Sequence, residues 1–111
     1  MDLYHIWCEL KAGESDLAFA DNVARYLGSL KASGLIQGFR LTRRKLGLGP
    51  DGLGDFHIIV ETNDLAQLDA AFRKVATRAG EVEVAHAAVY RAVENLRFAL
   101  YRDFPDAERL R

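Results

Sequence analysis

Two short segments alternate apolar and polar residues with a period of two, and that pattern constrains the fold more than any other feature of the chain. In the first, Tyr4, Ile6, Cys8 and Leu10 alternate with His5, Trp7 and Glu9. In the second, Phe56, Ile58 and Val60 alternate with His57, Ile59 and Glu61. A period of two belongs to a β-strand, whose successive side chains point to opposite faces. Each strand therefore has one greasy face for a core and one face bearing His-x-x-x-Glu. A plain solvent face would favour Lys, Thr and Ser. His, Trp and Glu there point to a covered polar surface, either a pocket or a subunit interface.

The rest of the chain fills in around these strands. Residues 2–11 read as the first strand, broken at Gly13. Ser15 or Asp16 offers an N-cap oxygen for a helix running to about Ser33, with Phe19, Val23, Tyr26 and Leu30 at helical spacing and Ala20 and Leu27 widening the stripe. Gly34 stands where a C-cap glycine would, and Gly28 inside the helix predicts a close approach to a strand. Residues 36–46 read as a second strand, with Phe39 and Leu41 opposite Gly38, Arg40, Thr42 and Arg44. The glycine-rich stretch 47–54 is a loop, and 55–62 is the third strand. Asn63 or Asp64 caps a second helix ending near Gly80, with Leu65, Leu68, Phe72, Val75 and Ala76 on one face. Val82, Ala85, Val89, Ala92 and Val93 fit a third, shorter helix over 82–93. Residues 95–102 make the last strand, and Pro105 ends regular structure. One domain over 1–105 with a charged tail at 106–111 is the expected division.

The order β-α-β-β-α-(α)-β is the ferredoxin-like plan of the α+β class, a four-stranded antiparallel sheet with its helices on one face. The first and third strands are expected at the centre and are read as running parallel, which would set His5 beside His57 and Glu9 beside Glu61. The face away from the helices would carry His5, Trp7, Glu9, Arg40, Thr42, His57, Ile59, Glu61, Arg97 and Tyr101. A monomer would leave Trp7 and Ile59 on open sheet, and a dimer closing face to face would bury them.

This element order, the length and the mixed open face resemble the dimeric α+β barrel superfamily, which includes antibiotic-biosynthesis-type monooxygenases, muconolactone isomerases, EthD-like proteins and stress-response barrel proteins. The ending from Arg97 through Tyr101-Arg102-Asp103-Phe104-Pro105 is similar to that of a small uncharacterised family of such barrels. The resemblance implies two sheets facing across a homodimer, with a cavity in each subunit. It carries over no catalytic residue. Haem binding occurs within the superfamily and is a minor option.

Composition narrows the partners. Fifteen basic residues against sixteen acidic ones give no global attraction to nucleic acid or to an anionic membrane. No stretch reaches transmembrane length. The single cysteine, Cys8, excludes an internal disulfide and, on a greasy strand face, is a buried hydrophobe rather than a nucleophile. The opening residues carry no basic, apolar export pattern, and a cytoplasmic location is expected.

The candidate chemistry sits on the His/Glu face. His5, His57 and Glu61 are acid/base candidates, since imidazole titrates near neutrality and paired carboxylates in a dry site raise one another's pKa. Trp7, Glu9, Arg40 and Tyr101 are candidate ligand contacts. So are His86 and Tyr90, four residues apart on the third helix. A hydrogen-bonded interface network is the competing use of the same residues. A metal site is disfavoured: His5 and Glu9 lie about 13 Å apart along a strand, and no His-x-His or HExxH spacing occurs. Gly47-x-Gly49-x-x-Gly52 spells a dinucleotide motif but joins two strands and contains Pro50, so it reads as a hairpin able to fold over a cavity mouth. Arg43, Arg44 and Lys45 read as protective charges on an edge strand. Arg102 and Asp103 are expected to pair across a dimer, with Phe104 anchoring the tail. Two functions follow: a homodimer that binds a small molecule and performs cofactor-independent monooxygenase- or isomerase-like chemistry, or a non-catalytic module whose polar face only dimerises. No cofactor is expected.

Overall fold

Side-chain caps start both long helices. Ser15 accepts the Ala18 amide at 3.2 Å and opens α1 (Asp16–Ala32); Asp64 accepts the Gln67 amide at 2.8 Å and opens α2 (Leu65–Ala76). Gln67 does a second task, donating at 3.0 Å to the Gly34 carbonyl, so the start of α2 is tied to the end of α1. The computed structural model describes residues 1–109, and residues 110 and 111 of the expected tail lie outside the described residues. Four strands, β1 (Asp2–Leu10), β2 (Gly38–Arg43), β3 (Phe56–Thr62) and β4 (Val93–Arg102), form one sheet. A third helix, α3 (Gly80–Tyr90), follows α2, and a single 3-10 turn covers Ala107–Arg109. The α+β, ferredoxin-like order is as the sequence reads.

The sheet order is β2-β3-β1-β4, antiparallel at every pairing. The central pair therefore does not run parallel. The α1 crossover returns the chain so that β2 runs in the direction of β1, and the hairpin into β3 then reverses it. β1 and β3 must oppose. Their register sets Trp7 across from His57, His5 across from Ile59 and Leu3 across from Glu61.

One sheet face makes the core. Phe19, Val23, Leu27 and Leu30 of α1 pack on Cys8, Phe56, Ile58 and Val60, with the Phe19 and Phe56 rings edge to face at 5.1 Å. Among the described residues, no layer of the chain covers the other face, and the Cα extents of 51 × 38 × 18 Å describe that two-layer slab.

The sheet is fastened at one end by Asp2. Its carbonyl accepts the Thr62 hydroxyl at 3.0 Å, and its carboxylate accepts two bonds from Arg102, at 2.6 and 3.3 Å. The Arg102 guanidinium holds the Asp2 carboxyl below its ordinary pKa. Arg102 also reaches Asp106, and Asp103 meets the N-terminal ammonium at 3.4 Å. The pairing of Arg102 and Asp103 expected between subunits is thus satisfied within the chain. Phe104 is 87% exposed and does not anchor the tail to the rest of the described chain.

Three local features depart from the periodicity reading. α2 stops a turn before Gly80 because Arg78 takes a left-handed φ of 51°, and Gly80 instead opens α3. A bulge in β4 inserts one residue between the pairs Trp7–Arg97 and Glu9–Glu94; Asn95 takes it up at φ 56°. A Cβ on Gly28 would meet nothing within 4 Å among the described residues, so the expected strand does not approach that glycine.

The glycine loop is wrapped around an arginine. Arg44 donates to the Leu53 carbonyl at 2.7 Å and the Pro50 carbonyl at 3.1 Å. Gly54 then lies on the β1 backbone, where a Cβ would overlap the Cys8 carbonyl. Two substitutions separate these glycines. Gly54→Ala must push strand backbone aside and should lower unfolding free energy by about 2 kcal/mol or more. Gly28→Ala should raise it by roughly 0.5–1 kcal/mol through helix propensity. Urea unfolding of both variants checks the opposite signs.

Candidate functional site

The β1–β3 register builds an aromatic cluster on the open sheet face. Trp7 and His57 are direct cross-strand partners, so their rings stack at 4.5 Å and 6°. His5 lies on the diagonal, and its Nδ1 is 2.9 Å from His57 Nε2. Tyr101 meets the His5 ring edge-on at 5.1 Å. One imidazole donates in the His5–His57 contact and the other accepts. His5 Nε2 is buried and has no partner among the described residues. Desolvation pushes both histidines below the ordinary imidazole pKa, and the charge of His5 adds to the lowering at His57.

The other expected members of this face stand apart from the cluster. Antiparallel pairing sends Glu9 and Glu61 to opposite ends of the strands, about 20 Å apart by strand rise, so the expected glutamate pair does not form. Glu9 instead accepts the Asn95 amide at 2.8 Å, at the bulge. The Glu61 carboxyl lies against Gly38. Arg40 is exposed, opposite Ile59. A shallow hollow of about 400 Å³ borders His5, Trp7, His57, Tyr101 and Phe104.

A second and more enclosed space lies on the other side of the sheet. A cavity of about 280 Å³ has Ile6, Ile58 and Phe98 as its floor and Val23, Leu27 and Val89 as its roof. Its polar groups are Tyr26 of α1, His86 and Tyr90 of α3, and Tyr4 of β1. The Tyr26 and His86 rings are 5.3 Å apart, and Tyr90 stacks on His86 at 5.9 Å. Glu83, one turn before His86, sets its Oε2 3.7 Å from His86 Nδ1. That oxygen is buried and has no hydrogen-bond partner among the described residues. Burial, then the nearby Tyr4 and Glu83 charges, pushes the Tyr26 phenol up to about 12. Burial likewise drives the Cys8 thiol to about 11, which keeps it protonated and unreactive.

The structure thus divides the expected site residues between two faces of one sheet. His5, Trp7, His57 and Tyr101 come together on the open face, with Glu9, Arg40 and Glu61 around its margins. His86 and Tyr90 meet on the helix side. Sequence reading missed Tyr26, counted only as part of a packing stripe, and Glu83, whose i, i+3 spacing to His86 was the available signal. Among the described residues, no three His, Cys, Asp or Glu side chains gather closely enough to hold a metal, and no helix is long and apolar enough to cross a membrane.

The histidine cluster has a measurable consequence. The folded chain favours neutral His5 and His57 more than the unfolded chain does. As pH falls below about 6.5, the unfolded state takes up protons first, so stability declines there rather than rising. NMR titration of the imidazole C2 protons should place both midpoints below that of a free histidine.

The fold is shared with solved structures at low sequence identity. A protein of Arabidopsis thaliana, At3g17210, superposes with a TM-score of 0.73 at 8% identity, over 96% of this chain and 99% of that one. A dimeric ferredoxin-like protein of unknown function from Jannaschia sp. CCS1 gives 0.67 at 13%, over 93% and 100%. A mutant of MhuD with two manganese protoporphyrin IX molecules bound per active site gives 0.63 at 14%, over 96% and 98%. No curated protein matches the sequence. A family model does match, across residues 1–111, and the chain belongs to that family: DUF6614, a family of unknown function.

Proposed function

We propose that the protein is a homodimer, joined through its open sheet faces, in which each subunit binds a small, ring-bearing and largely apolar molecule between sheet and helices. The observation that carries the reading is the apolar cavity between sheet and helices, lined by one imidazole, His86, and the phenols of Tyr4, Tyr26 and Tyr90, with the Glu83 carboxylate behind His86. Apolar pockets with a few convergent polar groups are the usual form of a small-molecule site. Homodimerisation is supported by the half-buried Leu3, Trp7 and Ile59 on the uncovered face, and by the dimeric state named for the Jannaschia neighbour.

In this reading the chemistry is isomerase-like proton transfer. His86 takes a proton from carbon beside a carbonyl, and the C–H electron pair moves into an enolate. Tyr26, kept protonated by its surroundings, donates a hydrogen bond to the enolate oxygen. The imidazolium then returns the proton to a different carbon. Glu83, 3.7 Å from Nδ1, lies on the side of the ring away from the substrate and closes to a hydrogen bond with Nδ1 during the transfer. His5, His57 and Glu61 belong to the subunit interface.

The test uses 2-tetralone, a bicyclic ketone of suitable size. Val89 and Leu27 methyl resonances should shift on binding, and α-hydrogen exchange in D₂O should accelerate. Val89→Trp, which fills the cavity, should weaken binding at least tenfold. His86→Gln should leave binding intact and lower exchange by about 10²-fold or more, the usual span of a general base. Exchange unchanged in His86→Gln would remove the catalytic reading and favour the non-catalytic module. Light scattering should give twice the chain mass.

A further inference from the structure

The open face brings two imidazoles within hydrogen-bond distance at the centre of a surface that meets its own copy. We propose that this assembly is proton-linked: the homodimer, on the reading given above, holds while His5 and His57 are neutral and separates as they take up protons.

Geometry gives the first support. The 2.9 Å contact needs one N–H and one lone pair, so it tolerates at most one added proton, and a second abolishes the acceptor. His57 is stacked on Trp7 and His5 is edged by Tyr101, so neither ring turns away from the contact without losing an aromatic neighbour.

The distribution of charge gives the second. Around the pair, β1 carries Glu9, β2 Arg40, β3 Glu61 and β4 Arg97 and Tyr101. Glu94 of β4, paired with Glu9, is a third carboxylate at the far end of this face, so three carboxylates stand there with two guanidiniums. Further out, Arg44 reaches Asp55, Arg43 pairs with Asp16, Arg102 with Asp2, and Asp103 with the N-terminus. Glu9 is engaged by Asn95, and Glu61 lies against Gly38. Among the described residues, no carboxylate lies within ion-pair distance of either histidine, so an added proton there meets no counter-charge in contact.

Symmetry doubles the effect. A two-fold interface presents the same patch on both subunits, so four imidazoles are covered together and every charge gained faces its like. Covering an imidazole lowers its affinity for protons relative to the free subunit. By linkage, proton uptake then weakens assembly below the free-subunit pKa.

Sedimentation velocity over a dilution series at pH 7.5 and 5.5 reads the result, with far-UV circular dichroism confirming that the subunits remain folded. The dimer dissociation constant should rise at least tenfold on acidification. His57→Gln and, separately, His5→Gln should flatten that dependence. A dissociation constant unchanged by pH, or a dependence unchanged in both variants, would overturn the proposal and leave the dimer itself standing. A monomer at pH 7.5 at every concentration would overturn the dimer reading and this inference together.

Discussion

Antiparallel pairing of β1 with β3 is the constraint on which the rest depends. It sets Ile6 across from Ile58 and so makes a continuous apolar floor under the helices. The same register sets Trp7 across from His57 on the other side, and from that single alignment the ring stack and the histidine contact both follow. A slip of one residue would exchange the faces, placing imidazoles under α1 and isoleucines in the open. Asp2 guards against that slip. It engages Thr62 of one neighbouring strand and Arg102 of the other, at the end of the sheet where all three meet.

A sheet with this register keeps two polar environments apart. On the helix side, few polar groups line an apolar space, so Tyr26 is held protonated and the Glu83 carboxylate oxygen lacks a partner among the described residues. On the open side, the two histidines bond to each other and His57 stacks on Trp7, while His5 Nε2 is likewise left without a partner among the described residues. An unsatisfied buried polar atom is costly, and its persistence marks a place where something else belongs. Both sides leave one such atom, and what separates them is cover: the Glu83–His86 side adjoins a cavity under the helices and reads as a binding surface, and the His5–His57 stack lies on bare sheet and reads as an interface.

Much of the fold was legible in the sequence because strand alternation and helix capping are local. Ser15, Asp64 and the greasy faces at Tyr4–Leu10 and Phe56–Val60 each encode their element without reference to the rest of the chain. Strand direction is not local. It follows from the crossover geometry of α1, and reading β1 and β3 as parallel misplaced Glu9 and Glu61 while leaving His5 near His57, because a diagonal neighbour survives the reversal. The bulge at Asn95 and the left-handed Arg78 were invisible for a different reason: neither position holds the glycine that usually marks a positive φ. The site was legible only in part. His86 and Tyr90 announce a shared helix face, but the role of Tyr26 depends on packing between α1 and α3, which no spacing within one helix reports.

The setting of Cys8 carries a practical consequence. Its thiol is 1% exposed at the bottom of the core, and the Gly54 backbone lies across its own carbonyl. Cys8 also lines the cavity between sheet and helices, so a reagent reaches the sulfur only by way of that cavity or by opening of the core. The chain thus carries a built-in clock: the speed at which a thiol-specific dye labels the protein reports how often the cavity or the core opens far enough to admit it, and a molecule that fills the cavity would slow that labelling.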